Sequence, residues 1–184
     1  ESDFTILMAV TDKQKGARGG MSAFLVDRGT PGFNILRRIP MLGGQYSYEI
    51  ALEDCRVPGW KLLGQEGAGF APMEVRLGTR RIQMAAWSVG MAQRALDMVI
   101  EYAPQRKTFG LPLSERQAIQ FWVAEAATKI HATRLMTYDC AWKLDQGRDV
   151  RKEISMVKVF ATEMAWEVID HAMQCFGAMG MTKE

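Results

Sequence analysis

Three short segments of this 184-residue sequence combine cations or glycines in a way that suits an anionic ligand. The first is Glu101-Tyr102-Ala103-Pro104-Gln105-Arg106-Lys107-Thr108-Phe109-Gly110. Arg106 and Lys107 set two cations beside the Thr108 hydroxyl, the Phe109 ring and a flexible Gly110. A guanidinium is a planar fork that matches phosphate or pyrophosphate, and an aromatic ring packs on a flat ring. The same residues also suit the end of a helix, whose negative dipole end attracts cations, and composition alone favours that plainer role. The second segment is Gln174-Cys175-Phe176-Gly177-Ala178-Met179-Gly180. Its glycines allow a backbone to approach a ligand closely, and an ordinary glycine C-cap accounts for them equally well. The third is Gly78-Thr79-Arg80-Arg81. Adjacent helical residues point about 100° apart, so one arginine can face solvent while the other meets a buried anion. Two solvated arginines are the plainer reading.

Other chemistries lack a signature. His131 and His171 have no Cys, Asp or Glu at metal-ligand spacing, so no metal site is expected. No nucleophile motif and no Walker-type phosphate loop occurs, and Ser47 and Ser155 are isolated. Glu163 and Glu167, one helical turn apart, read as solvated helix charges. The formal net charge is only +2, which supplies no electrostatic drive toward nucleic acid or an anionic membrane surface. No apolar run approaches the ~20 residues that cross a bilayer. Cys55, Cys140 and Cys175 are odd in number and far apart, matching neither a disulfide framework nor a metal knuckle, so a reducing compartment is expected.

The elements that must position the three segments divide the chain in two. Residues 1–63 read as strands: an apolar run from Phe4 to Thr11, a loop over residues 12–20, then Ala23 to Asp27, Phe33 to Ile39 and Glu49 to Glu53. Short runs punctuated by Gly and Pro suggest an antiparallel sandwich or barrel, here incomplete. From about Gly67 the pattern turns helical, and residues 64–184 read as a helical bundle domain. Ile82, Ala85, Ala86, Val89, Ala92, Leu96, Val99, Ile100 and Ala103 form one apolar stripe. A second helix starts near Ser114, where Ser114 and Gln117 have capping-box spacing, and ends at Gln146-Gly147. A third runs from about Val150 to Gly177. Each spans roughly 45 Å at 1.5 Å per residue. Three helices rarely enclose a complete core, so a fourth helix or a partner subunit is expected. The fold class is α+β, a partial antiparallel sheet followed by an antiparallel bundle. The chain opens Glu1-Ser2-Asp3 without an initiator Met and reads as a piece of a longer protein.

In order and spacing, these segments resemble the acyl-CoA dehydrogenase family. Leu52-Glu53-Asp54-Cys55-Arg56-Val57-Pro58 is similar to that family's Phe-Glu-Asp-Val-x-Val-Pro ending of the middle β domain. Leu63-Gly64-Gln65-Glu66-Gly67-Ala68-Gly69-Phe70 resembles the linker into the C-terminal helical domain, and Val89 to Leu96 its first long helix. Arg106 to Gly110 resembles Arg-x-x-Phe-Gly, with Glu115-Arg116-Gln117-Ala118-Ile119 following, and Gln174 to Gly180 resembles Gln-x-x-Gly-Gly-x-Gly. The likeness covers nearly the whole chain and is strongest over residues 52–184. It implies the end of a middle β domain followed by most of a four-helix bundle. It also implies FAD as cofactor, and oxidation of the Cα–Cβ bond of an acyl-CoA thioester in fatty acid metabolism. A glutamate removes the α proton and the flavin takes the β hydride.

The resemblance assigns residues as well. Arg106, Thr108 and Phe109 match contacts to the pyrophosphate and adenine side of a neighbouring subunit's FAD. Gln117 matches another cofactor contact, and Gln174, Gly177 and Ala178 match the segment that touches its ADP portion. Gly78 and Arg81 fall in the stretch that lines the substrate site. No residue is assigned as catalytic base. Arg80 stands where some members carry the glutamate, and the commoner position lies beyond Glu184, so the chain alone is expected to be inactive. Ala178 in place of glycine, Gly78 in place of an acidic residue, and Pro104, expected to end its helix early, are departures from the pattern. An electron-transfer flavoprotein or similar acceptor, a homodimer or homotetramer, and a bacterial cytoplasm or mitochondrial matrix are further implications. Two alternatives remain open: a relative with other flavin chemistry, such as a nitroalkane oxidase or flavin monooxygenase, or a helical assembly module without enzymatic activity.

Overall fold

Runs of apolar and β-branched residues between glycine turns fold the N-terminal part into antiparallel strands. The structure is a computed structural model, and it describes residues 2–182. Strand β1 (Phe4–Val10) enters a one-turn segment α1 (Ala17–Gly20) and returns as β2 (Met21–Asp27). The two pair from Phe4 opposite Asp27 to Val10 opposite Met21. Strands β3 (Phe33–Pro40) and β4 (Tyr46–Leu52) form a second sheet, with a register shift between Ile35 and Arg37. A two-residue strand β5 (Leu62–Leu63) occupies the other edge of β2 through Ala23 and Phe24. The antiparallel sheet expected from the sequence is present, but no closed barrel forms among the described residues. β1 lies along one side of β2 and β5 pairs on the other at Ala23 and Phe24 only, while β3 and β4 pair with each other.

The chain forms two compact units, Glu1–Arg76 and Leu77–Glu184. Within the first, a fully buried serine ties the segment that precedes helix α2 (Phe70–Tyr102) to β2. The Ser22 hydroxyl lies 2.8 Å from that of Thr11 and accepts the Gly67 N–H at 2.8 Å. The Gly69 N–H donates to the Met21 carbonyl at 2.8 Å. Gly67 has φ +79°, and a Cβ there would lie 2.4 Å from the Gly19 carbonyl oxygen, so only glycine fits this crossing of backbones.

In the second unit α2 continues, a small hairpin of β6 (Lys107–Thr108) and β7 (Leu111–Pro112) follows, and then come α3 (Gln117–Asp145) and α4 (Arg151–Phe176). The apolar stripes meet in three clusters along the bundle. Ala85, Cys140, Val150, Ile154, Val157 and Ala161 fill one end. Val89, Ala92, Leu96, Ala126, Ile130, Met164, Ala165 and Val168 fill the middle, and Val99, Ala103, Ile119, Ala172 and Cys175 the other end. Alanines in each stripe let the backbones approach. Ile100, placed on the first stripe by periodicity, is exposed, because three helices bury a narrower face than the full apolar arc.

Two local expectations are corrected. The Ser114–Gln117 capping box does not form: Arg116 is the N-cap residue and makes no side-chain cap bond. Ser114 instead sits in a 3-10 turn following Pro112, where its N–H donates to Ala103 and its carbonyl accepts from Gln120. Glu167 is not a free solvated charge. Both its carboxylate oxygens accept from Lys129 Nζ, at 2.6 and 2.7 Å, tying α3 to α4. Helix α2 ends at Tyr102, two residues before Pro104, whose ring is incompatible with a continuing helix. Among the described residues no helix is long and apolar enough to cross a membrane.

Candidate functional site

The end of α2, the start of α3 and the end of α4 meet at one end of the bundle. Tyr102 and Phe176 stack there, ring centroids 4.4 Å apart and planes 15° from parallel. Trp122 and His171 stack beside them at 4.3 Å and 6°. Tyr102 is the last residue of α2 and Phe176 the last of α4, so the stack brings together the segments that begin at Gln105 and at Gly177.

On the α2 side the chain reverses in a tight hairpin. The Tyr102 carbonyl accepts the N–H groups of Gln105 and Arg106, at 3.0 and 3.1 Å. Phe109 (φ +50°) and Gly110 (φ +81°) form the turn, both in the left-handed region, as a two-residue hairpin loop with the right twist requires. The Phe109 ring is 99% exposed. Arg106 is exposed and Thr108 half-buried, and the Thr108 carbonyl accepts from the Arg116 guanidinium. Gln117 lies exposed on the first turn of α3.

On the α4 side Gly177 (φ +62°) ends the helix and a short 3-10 turn follows. The two glycines here differ in role. A Cβ at Gly177 would meet nothing within 4 Å, whereas one at Gly180 would lie 2.7 Å from the Met173 carbonyl oxygen. Gly180 is demanded by packing against α4, and Gly177 presents open backbone. Gln174 and Ala178 are exposed. An apolar groove of about 340 Å³ adjoins this turn, lined by Met98, Tyr102, Met173, Phe176 and Met179 among others. A second, of about 280 Å³, continues along α2 and α4 between Trp87, Met91 and Trp166.

Gly78 and Arg81 are not part of this assembly. They lie near the other end of α2, where Gly78 faces Ile154 of α4 and Arg81 is exposed. From residue 78 to residue 102 the helix rises roughly 36 Å. Arg80 stacks its guanidinium 4.1 Å from the centroid of Trp87 and donates to Gln83 at 3.4 Å. Among the described residues no group of three His, Cys, Asp or Glu side chains is placed to hold a metal ion.

Three features favour a flat, anionic ligand at the Tyr102–Phe176 end: an exposed guanidinium, an aromatic ring held in solvent by left-handed backbone, and a glycine whose backbone is open. A dinucleotide such as FAD has the matching parts, a pyrophosphate and planar rings. Arg116, Tyr102 and Phe176 complete the arrangement and were not singled out as site residues by sequence. Tyr102 and Phe176 occur in the sequence only as members of the first and second segments.

The family description of the acyl-CoA dehydrogenase C-terminal domain matches residues 67–184. The (R)-benzylsuccinyl-CoA dehydrogenase of Thauera aromatica is 41% identical over 182 residues, which cover 98% of this chain and 45% of that protein. A caffeyl-CoA reductase–Etf complex subunit of Acetobacterium woodii is 38% identical over 184 residues, 99% of this chain and 48% of that protein. PigA, solved with FAD and proline, superposes with a TM-score of 0.92 at 33% identity, covering 99% of this chain and 48% of the other. The chain spans about half the length of the relatives it matches.

Proposed function

The chain belongs to the acyl-CoA dehydrogenase family, and from that premise we propose that the protein carrying it is an FAD-dependent oxidoreductase acting on the Cα–Cβ bond of an acyl-CoA thioester. The observation that carries the proposal is the meeting of the two candidate segments through the Tyr102–Phe176 stack. In this reading Arg106 pairs with the pyrophosphate, Phe109 packs on the adenine side and Thr108 and Gln117 supply polar contacts. Gln174, Gly177 and Ala178 offer backbone and amide groups to the ADP portion, and Gly78 and Arg81 line the substrate site at a distance from these contacts. FAD, when bound, supplies the hydride acceptor. The exposure of Arg106 and Phe109 supports a cofactor belonging to a neighbouring protomer, hence a homodimer or homotetramer. The apolar grooves along α2 and α4 support a further helix or subunit over that face. An electron-transfer flavoprotein as acceptor is supported by the relative whose name includes an Etf complex. In this reading no residue of the chain is assigned as the catalytic base.

The test is flavin retention by the intact protein. Arg106→Ala removes a charge-assisted hydrogen bond worth roughly 1.5–3 kcal/mol, and FAD affinity is expected to fall about ten- to a hundredfold. Unchanged affinity removes the pyrophosphate assignment. A protein without visible flavin absorbance even after addition of FAD is an assembly module instead. A second reading keeps FAD and changes the substrate, as in a nitroalkane oxidase or flavin monooxygenase. The PigA structure with proline favours keeping it, and turnover of acyl-CoA against non-thioester substrates separates the two.

A further inference from the structure

We infer that Arg116 is a positioning residue that sets the hairpin carrying Thr108 and Phe109, an inference that rests on the reading of that hairpin as an FAD contact. Strands β6 and β7 contribute two residues each, and one of the four, Pro112, has no N–H to give the ladder. A hairpin this small does not hold its shape in water by itself. Its turn adds a further burden, since Phe109 is left-handed at φ +50°, a region disfavoured for a residue with a bulky side chain. The ring finds no compensating packing, being 99% exposed.

The hairpin is therefore held from its base. Two backbone bonds tie the chain there, from Leu113 N–H to the Arg106 carbonyl at 2.8 Å and from Ser114 N–H to the Ala103 carbonyl at 3.1 Å. Neither reaches the turn. The guanidinium of Arg116 does, by donating to the carbonyl of Thr108, the residue beside Phe109. Among the described residues this is the one side-chain hydrogen bond to residues 107–112. Arg116 is half-buried and is itself fixed, because it forms the N-cap of α3. The first turns of that helix are anchored by Ile119 and Trp122 in the cluster with Val99, Ala103 and Cys175. One side chain thus connects the packed core to an otherwise weakly supported turn.

The experiment is a set of FAD dissociation constants, measured on the intact protein, for Arg116→Met, Arg116→Lys, Phe109→Ala, Arg106→Ala and the Arg116→Met/Phe109→Ala pair. Methionine keeps an apolar stem and removes the donors, and about a tenfold loss of FAD affinity is expected. Arg116→Lys still offers a donor to the carbonyl and recovers most of that loss, which a packing role alone does not predict. In the Phe109→Ala background Arg116→Met costs less than about threefold, since the ring it positions is gone. Arg116→Gln, too short to reach, carries the same expectation should the methionine variant not fold. Wild-type affinity in Arg116→Met alongside weakened Arg106→Ala overturns the inference and leaves the FAD reading standing. Fully additive losses in the pair also overturn it, because Arg116 then acts independently of the hairpin. Wild-type affinity in both Arg106→Ala and Phe109→Ala removes the FAD reading, and the inference with it.

Discussion

Truncating Tyr102 to alanine separates the two candidate segments most directly. Its ring lies 4.4 Å from that of Phe176 at 15° and is half-buried. Removing a fully buried aromatic ring costs about 3–5 kcal/mol, so a half-buried one is expected to cost about 2 kcal/mol. Of this, about 1 kcal/mol belongs to the ring pair itself and reappears as coupling in a Tyr102→Ala/Phe176→Ala double-mutant cycle. The backbone consequence matters more for function. The Tyr102 carbonyl accepts from Gln105 and Arg106, so a looser helix end displaces the start of the hairpin, while Phe176 precedes Gly177 directly. Urea unfolding of the intact protein reads the stability and coupling, and flavin fluorescence reads FAD retention. Tyr102→Phe keeps the stack and is expected to behave as wild type in both. Coupling near zero, or full FAD affinity in the double variant, refutes the argument that this stack holds two halves of one site.

Gly67→Ala places a side chain at φ +79° with its Cβ 2.4 Å from the Gly19 oxygen. It is expected to cost more than the about 1–2 kcal/mol of left-handed backbone alone. Gly29→Ala, at φ +84° in open space, carries only the backbone penalty, and equal losses by urea unfolding count against the crowding at Gly67. Asp149 accepts from the side chain and then the backbone of Arg151, which lowers its pKa from 3.8 to about 2. A carboxyl more acidic in the folded state stabilises fully above its unfolded pKa and loses that contribution as pH falls to about 2. Proton titration by NMR should place Asp149 near this value and find it restored toward 3.8 in Arg151→Ala; an unmoved midpoint rules out the pair.

Much of the helical unit was legible in the sequence. Ile154, Val157, Ala161, Met164, Ala165, Val168, Ala172 and Cys175 repeat at helical spacing, and all are buried. Strong 3.6-residue periodicity is a local property of the chain and survives whatever the helix packs against. The strands from Phe4, Ala23 and Phe33 were equally visible, since apolar runs between glycine turns need no distant partner to be recognised. The two-residue strands β5, β6 and β7 were not, because so short a run has no period of its own. The candidate site divides in the same way. Arg106, Phe109, Gln174 and Gly177 stood out by residue type, whereas Arg116 was quoted only as part of a motif, and nothing in its neighbours told that its guanidinium turns back to the Thr108 carbonyl.

By itself the order of residues determined which segments become the three long helices and the longer strands, and which short stretches carry cations, aromatic rings and glycines. Those properties depend on backbone preference and on the alternation of apolar and polar side chains within a few turns. Only the tertiary structure decided that the ends of α2 and α4 share one stack, that Gly177 is open while Gly180 is filled, and that the Arg116 guanidinium turns back to the Thr108 carbonyl. Which distant side chains meet is set by how three apolar stripes interlock, and that depends on the shapes of all three at once.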